Sequence, residues 1–157
     1  MRVQLRPVSN DDLDRLFAFE CDPSGVEMAA FTRADPSDRD AFDAHYRRVR
    51  ADPDVRLLAI EHDGVLVGTI GSFTMEGSRS IAYWIDPTRW GQGLASAALQ
   101  AFLEVESVRP LVGRVADHNI ASRRVLTKAG FVEVGRETAY ADGVQREIVE
   151  RILCLEQ

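Results

Sequence analysis

The six residues Trp90-Gly91-Gln92-Gly93-Leu94-Ala95 set two glycines at the start of a helical pattern. A glycine-rich turn running into a helix aims a row of backbone N–H groups along the positive end of the helix dipole, which suits a pyrophosphate. Ala95, Ala97 and Ala98 keep the beginning of that helix thin, so backbone can approach a ligand closely. Further on, Asn119-Ile120-Ala121-Ser122 opens a short polar helix that Gly130 ends. Asn119 and Ser122 lie three residues apart and share a helix face; Asn119 also has the chemistry of an N-cap. Arg89, Arg123 and Arg124 are either solvated surface or a source of forked positive charge for phosphate oxygens. A Rossmann dinucleotide turn fits poorly. Its third glycine or alanine falls on Ser96, and no acidic residue ending a second strand follows at about 20 residues.

Other chemistry is sparse. His45, His62 and His118 show no ligand or triad spacing, and Cys21 and Cys154 are far apart, so no metal site is expected. The aromatics Tyr83 and Trp84 alternate along one strand, so they point to opposite faces, one expected in a pocket and the other beneath a helix.

The elements that must position these residues are legible from pattern and punctuation. Strands are expected at Val3–Arg6, Val55–Glu61, Val65–Thr74, Ser80–Ile85 and Leu111–Ala116, with a last hairpin of Val132–Tyr140 and Val144–Leu155 around Asp142-Gly143. His62-Asp63-Gly64 is a hairpin turn. Helices are expected after Ser9 or Asn10, over Arg39–Arg50, from about Gly93 to Glu106, and over Asn119–Ala129. Cys21–Pro36, with Pro23, Gly25 and Pro36, reads as a long loop with a helical turn near Val26–Phe31. Long loops in small domains are often functional. The order mixes hairpins with helix crossovers and predicts an α/β (α+β) fold, a mixed, mostly antiparallel central sheet flanked by helices.

With 157 residues, 45% of them hydrophobic, the chain fits one domain with a proper core. A net charge of −6 argues against nucleic acid as a partner. No apolar run approaches the ~20 residues of a membrane span, so no membrane partner is expected. With two distant cysteines, the expected compartment is the cytoplasm.

The run from Tyr83 to Phe131 resembles the GNAT superfamily of acetyl-coenzyme A-dependent N-acetyltransferases. Tyr83-Trp84-Ile85-Asp86-Pro87, the glycine turn, and the run Asn119 to Phe131 are most similar to its ribosomal-protein N-terminal acetyltransferase (Rim-type) branch. The resemblance implies one GNAT-like domain over 1–157 and acetyl-CoA as cosubstrate with no metal. It also implies direct transfer of acetyl to a primary amine, on a protein N-terminus or a small molecule. The cofactor residues it implies are Trp84, Ile85, Trp90, Gly91, Gln92, Gly93, Leu94, Ala95, Asn119, Ser122 and Arg124. Asn119 would hold the pantetheine arm, and a backbone N–H at the end of the Ser80–Ile85 strand would stabilise the oxyanion.

Two family features are missing. The position seven residues after the Asn, often Tyr, is Leu126, which leaves Ser122 as proton donor to the thiolate. The central-strand Glu is replaced by Ser80, so a base must come from elsewhere: Glu20, Glu27 or Glu76, or a water relay. The lack of a strand carboxylate favours an acceptor of modest pKa, an α-amine over a lysine side chain. The same gaps are the support for the alternative, a non-catalytic acyl-CoA-binding sensor or regulatory subunit. The acceptor is not named by the sequence, and a homodimer is one of the assemblies open to the chain.

Overall fold

The computed structural model describes residues 2–157. The elements are β1 (Gln4–Pro7), α1 (Leu13–Cys21), α2 (Pro23–Ala29), α3 (Arg39–Ala51), β2 (Arg56–His62), β3 (Val65–Met75), β4 (Ser78–Ile85), α4 (Leu94–Val105), β5 (Leu111–Ala116), α5 (Ile120–Lys128), β6 (Val132–Ala141) and β7 (Arg146–Leu155). The strands form one sheet in the order β1-β2-β3-β4-β5-β7-β6. Every neighbouring pair is antiparallel except β4 with β5. The mixed sheet flanked by helices is the expected architecture.

Alternation along the strands splits the core between the two faces. Ile60 and Val67 join Leu94, Ala98, Leu99 and Phe102 of α4 and Leu126 of α5. Their sequence neighbours Ala59 and Leu66 join Leu16 and Phe19 of α1 and Phe42 and Tyr46 of α3. The sheet is therefore sandwiched, with α4 and α5 on one face and α1 and α3 on the other. The far end of α4 is tied to the sheet by Glu106, 2% exposed. Its carboxylate accepts from Ser72 Oγ, from Arg79 Nε at 2.8 Å and from Val108 N at 3.3 Å.

One element departs from expectation. The first part of the Cys21–Pro36 segment is the helix α2. Asp22 accepts from Ser24 N at 2.8 Å and Gly25 N at 3.2 Å, and Pro23 stands at the first helical position. An Asp–Pro cap is a helix-start signal, but seven residues are too few to display a period. The rest of the segment is pinned. Arg33 donates to Glu20 Oε1 at 2.8 Å and lies over the Phe17 and Phe42 rings.

The last hairpin also differs. Its tip spans 142–145, and the left-handed residue there is Gln145 (φ 53°), not Gly143. Gly143 N–H instead donates to Ala30 O at 2.7 Å, at the C-terminus of α2. Among the described residues, no helix is long and apolar enough to cross a membrane.

Candidate active site

β4 and β5 are in register only at Arg79↔Leu111, Ser80↔Val112 and Ile81↔Gly113. Beyond that point β4 continues to Ile85 against β3, and β5 continues to Ala116 against β7. The two strands part, and the wedge between them is a cleft of about 660 Å³. Both faces of the sheet contribute to it. Tyr83 points toward the α4–α5 side and Trp84 toward α1, where its Nε1 donates to Phe19 O at 3.2 Å. The expected opposition of these aromatics is present, but both line the cleft, not one of them.

On the α4–α5 side the cleft runs along the glycine turn. Gly91 (φ 82°) and Gly93 (φ 79°) are both left-handed, and a Cβ at either would meet nothing within 4 Å. Open space and unhindered backbone therefore lie at the N-terminus of the twelve-residue α4, the geometry for an anion. Trp90 is half-exposed and donates from Nε1 to Ile85 O at 3.3 Å, which ties the turn back to β4. Asn119 caps α5, its Oδ1 accepting from Ser122 N at 3.2 Å, and it also lines the cleft. Capping occupies its oxygen and leaves its amide NH₂ available.

Ser122 Oγ and Tyr83 Oη are 2.6 Å apart. Burial pushes the Tyr83 phenol up to about 12, against the opposing hydrogen bond from Ser122. A protonated phenol thus stands beside the serine throughout the neutral range.

The family model "Acetyltransferase (GNAT) domain" matches residues 2–132. This chain belongs to the GNAT acetyltransferase family. No curated protein matches the chain. Among solved structures, an N-acetyltransferase from Staphylococcus aureus Mu50 superposes with a TM-score of 0.83 at 17% identity, over 99% of this chain and 99% of that one. Mycobacterium smegmatis RimJ, in complex with CoA-disulfide, gives 0.81 at 24% identity over 98% and 81%. Spermidine N-acetyltransferase from Vibrio cholerae, in complex with CoA and spermine, gives 0.79 at 18% identity over 98% and 95%. At these identities the likeness is one of fold.

Within this GNAT domain the structure gathers most of the expected positions. Trp84, Ile85, Trp90, Gly91, Gly93, Leu94, Ala95, Asn119 and Ser122 all line the cleft. Gln92 and Arg124 do not. Arg124 lines a second groove with Arg123 and Lys128 of α5. The candidate bases also fall away from the cleft lining. Glu20, on α1, is held by Arg33 and by Tyr46 Oη of α3 at 2.9 Å. Glu76 is 81% exposed on the β3–β4 turn, and Glu27 is exposed on α2.

The described carboxylate that does line the cleft is Glu150 of β7, beside Arg114 of β5. Neither was singled out from sequence. The Tyr83 hydroxyl beside Ser122 was also missed. Strand alternation alone could have placed Tyr83 on the face of the following helix, but its partner lies 39 residues away.

Proposed function

We propose that this chain transfers an acetyl group from acetyl-CoA to a primary amine in the wedge between β4 and β5. The reading is carried by one observation: the open glycine turn and the Tyr83–Ser122 hydroxyl pair line a single cleft. The RimJ and spermidine acetyltransferase complexes with CoA compounds support it by fold likeness. Gly91 and Gly93 fit a pyrophosphate, because neither carries a side chain into the space before α4.

Bound acetyl-CoA supplies the thioester that the amine attacks. The N–H groups of the turn hold phosphate oxygens, and the Asn119 amide donates to the pantetheine arm. Past Ile81, β4 has no strand on its β5 side, so its backbone groups there, apart from the Ile85 O held by Trp90 Nε1, can bind the arm and polarise the acetyl carbonyl. Ser122 Oγ passes a proton to the leaving sulfur, and Tyr83 Oη, its hydrogen-bond partner, replaces it. Glu150 accepts the proton of the attacking amine. A carboxylate in the cleft removes the argument from a missing base, so basicity alone does not select an α-amine over a lysine. The two free cysteines, Cys21 and Cys154, suit a reducing cytoplasm.

An amine panel with acetyl-CoA, read by release of free CoA thiol, tests the activity. Gly93→Asp tests the site, since it places a negative side chain where the pyrophosphate sits. Calorimetry should show acetyl-CoA affinity reduced by at least about tenfold, or about 1.4 kcal/mol. Circular dichroism should show the fold retained. Equal affinity in the two proteins would overturn the assignment.

A further inference from the structure

The α1–α3 side of the cleft has a chemistry of its own. Met28 and Phe31, Phe73 and Met75 of β3, and Trp84 make it apolar. It ends on one cation ringed by acids. Arg114 Nη1 donates to Glu137 at 2.9 Å and to Glu150 at 3.2 Å, and Arg114 Nη2 lies 3.9 Å from Glu76. The strand registers stack these groups on one face, with Glu150 opposite Ala116 and Glu137 opposite Glu150. Ala116 itself packs with Ala30 and Phe31 on that side of the sheet.

Three carboxylates stand against one guanidinium here, an excess of −2 around this end of the cleft, with Glu150 and Arg114 lining it and Glu76 and Glu137 outside the lining. Glu76 and Glu137 are largely exposed, whereas the Glu150 side chain is 16% exposed and lies within. The excess negative charge sits on the exposed Glu76 and Glu137, which draw a cation toward Glu150, the carboxylate that the cleft presents within.

We propose that this half of the cleft selects an amine carried on an apolar arm, with no carboxylate beside the nitrogen. The inference rests on the acetyl-transfer reading for its role and deepens it to a substrate class. An ammonium gains from Glu150, and the arm covers Phe31, Phe73, Met28 and Met75. A free amino acid brings its own carboxylate to the same place. Arg114 Nη1 is already shared by Glu137 and Glu150, and a further carboxylate on Nη2 would sit among Glu76, Glu137 and Glu150, so the like charges repel. A short amine without the arm leaves the apolar walls wet. The chemistry is shared by small aryl-alkyl amines and by peptide N-termini with a large apolar first residue.

The test compares phenylalaninamide, phenylalanine, glycinamide and a hexapeptide beginning with Phe. Turnover is measured at saturating acetyl-CoA, and binding to the CoA-loaded protein is read by tryptophan fluorescence. Phenylalaninamide, the hexapeptide or both should exceed phenylalanine and glycinamide by about tenfold or more in kcat/KM and in affinity. Which of the two is better identifies the source of the amine. In fluorescence titration of CoA-loaded Glu150→Gln, the preference over free phenylalanine should shrink to about threefold or less, with CoA affinity unchanged. Phenylalanine handled as well as both the amide and the hexapeptide, or glycinamide handled as well, overturns the proposal. Selective binding without acetylation of any amine would sink the acetyl-transfer reading and leave the selectivity standing. Acetylation without selectivity would do the reverse.

Discussion

Tyr83 and Ser122 come from a strand and a helix that meet only after folding, and their oxygens lie 2.6 Å apart. If the pair delivers the thiolate's proton, Ser122→Ala should lower kcat by about 10²-fold or more. The acetyl-CoA dissociation constant should stay nearly constant. Tyr83→Phe should cost a comparable factor, and the double variant little more than either single one, because groups that act as a unit are not additive. Single-turnover kinetics on the three proteins measures this. The phenol, raised to about 12 by burial, must be protonated to donate. Activity supported by it is therefore kept below that value and lost only as pH rises through it. The pH–kcat profile should show no basic limb from Tyr83 below about pH 11.

At the scale of elements, α2 roofs the half of the cleft proposed for the acceptor, and it is held by two other segments. His118 Nε2 is 2.7 Å from Glu27 O, which ties α2 to the loop before α5. Gly143 brings the β6–β7 tip onto the same C-terminal half, where an added Cβ would meet Val26 O at 2.6 Å and Ala30 O at 2.7 Å. Both obstacles are backbone, so neither can swing aside. Gly143→Ala should push the tip off α2 and raise KM for the amine several-fold, while KM for acetyl-CoA, whose proposed site lies across the sheet, holds. Overpacking of this kind costs about 1–3 kcal/mol, which a thermal melt should report as a lower Tm. An unchanged amine KM would show that the roof plays no part in acceptor binding.

At the scale of the whole molecule, β1 is locked to the first turn by charge. Arg6 donates to Asp12 at 2.7 and 2.8 Å and to Glu61 at 2.7 Å. Hydrogen bonds from Arg6, aided by Ser9, hold the Asp12 carboxyl at about 2, below its ordinary 3.8. The folded state thus prefers the ionised form. The stability it contributes is complete above the unfolded value and is lost as pH falls from there through about 2. A shift of this size corresponds to about 2 kcal/mol. Asp12→Asn should lower Tm by about 4–8 °C at pH 6. The gap should close toward pH 2, where the wild type has lost the same interaction. A gap that stays constant across that range would show that the variant acts through packing alone.

The sequence by itself determined the strands and the helices other than α2, and where the glycine turn before α4 stands. Alternation, caps and glycine stops are local, and local sterics and hydrogen bonding enforce them. Gly91, Gly93, Asn119 and Ser122 were readable because the turn, the cap and the helix face that place them are local. Tertiary structure alone decided what faces them. Glu150 enters the cleft because β7 inserts between β5 and β6, a strand order that no local pattern encodes. Glu20, an apparent candidate on α1, is taken up by Arg33 and Tyr46, partners from two other segments. The wedge itself exists because β4 and β5 pair for three residues and then follow different neighbours. That divergence depends on which strands flank each of them, so it is a property of the assembled sheet and of no single stretch of chain.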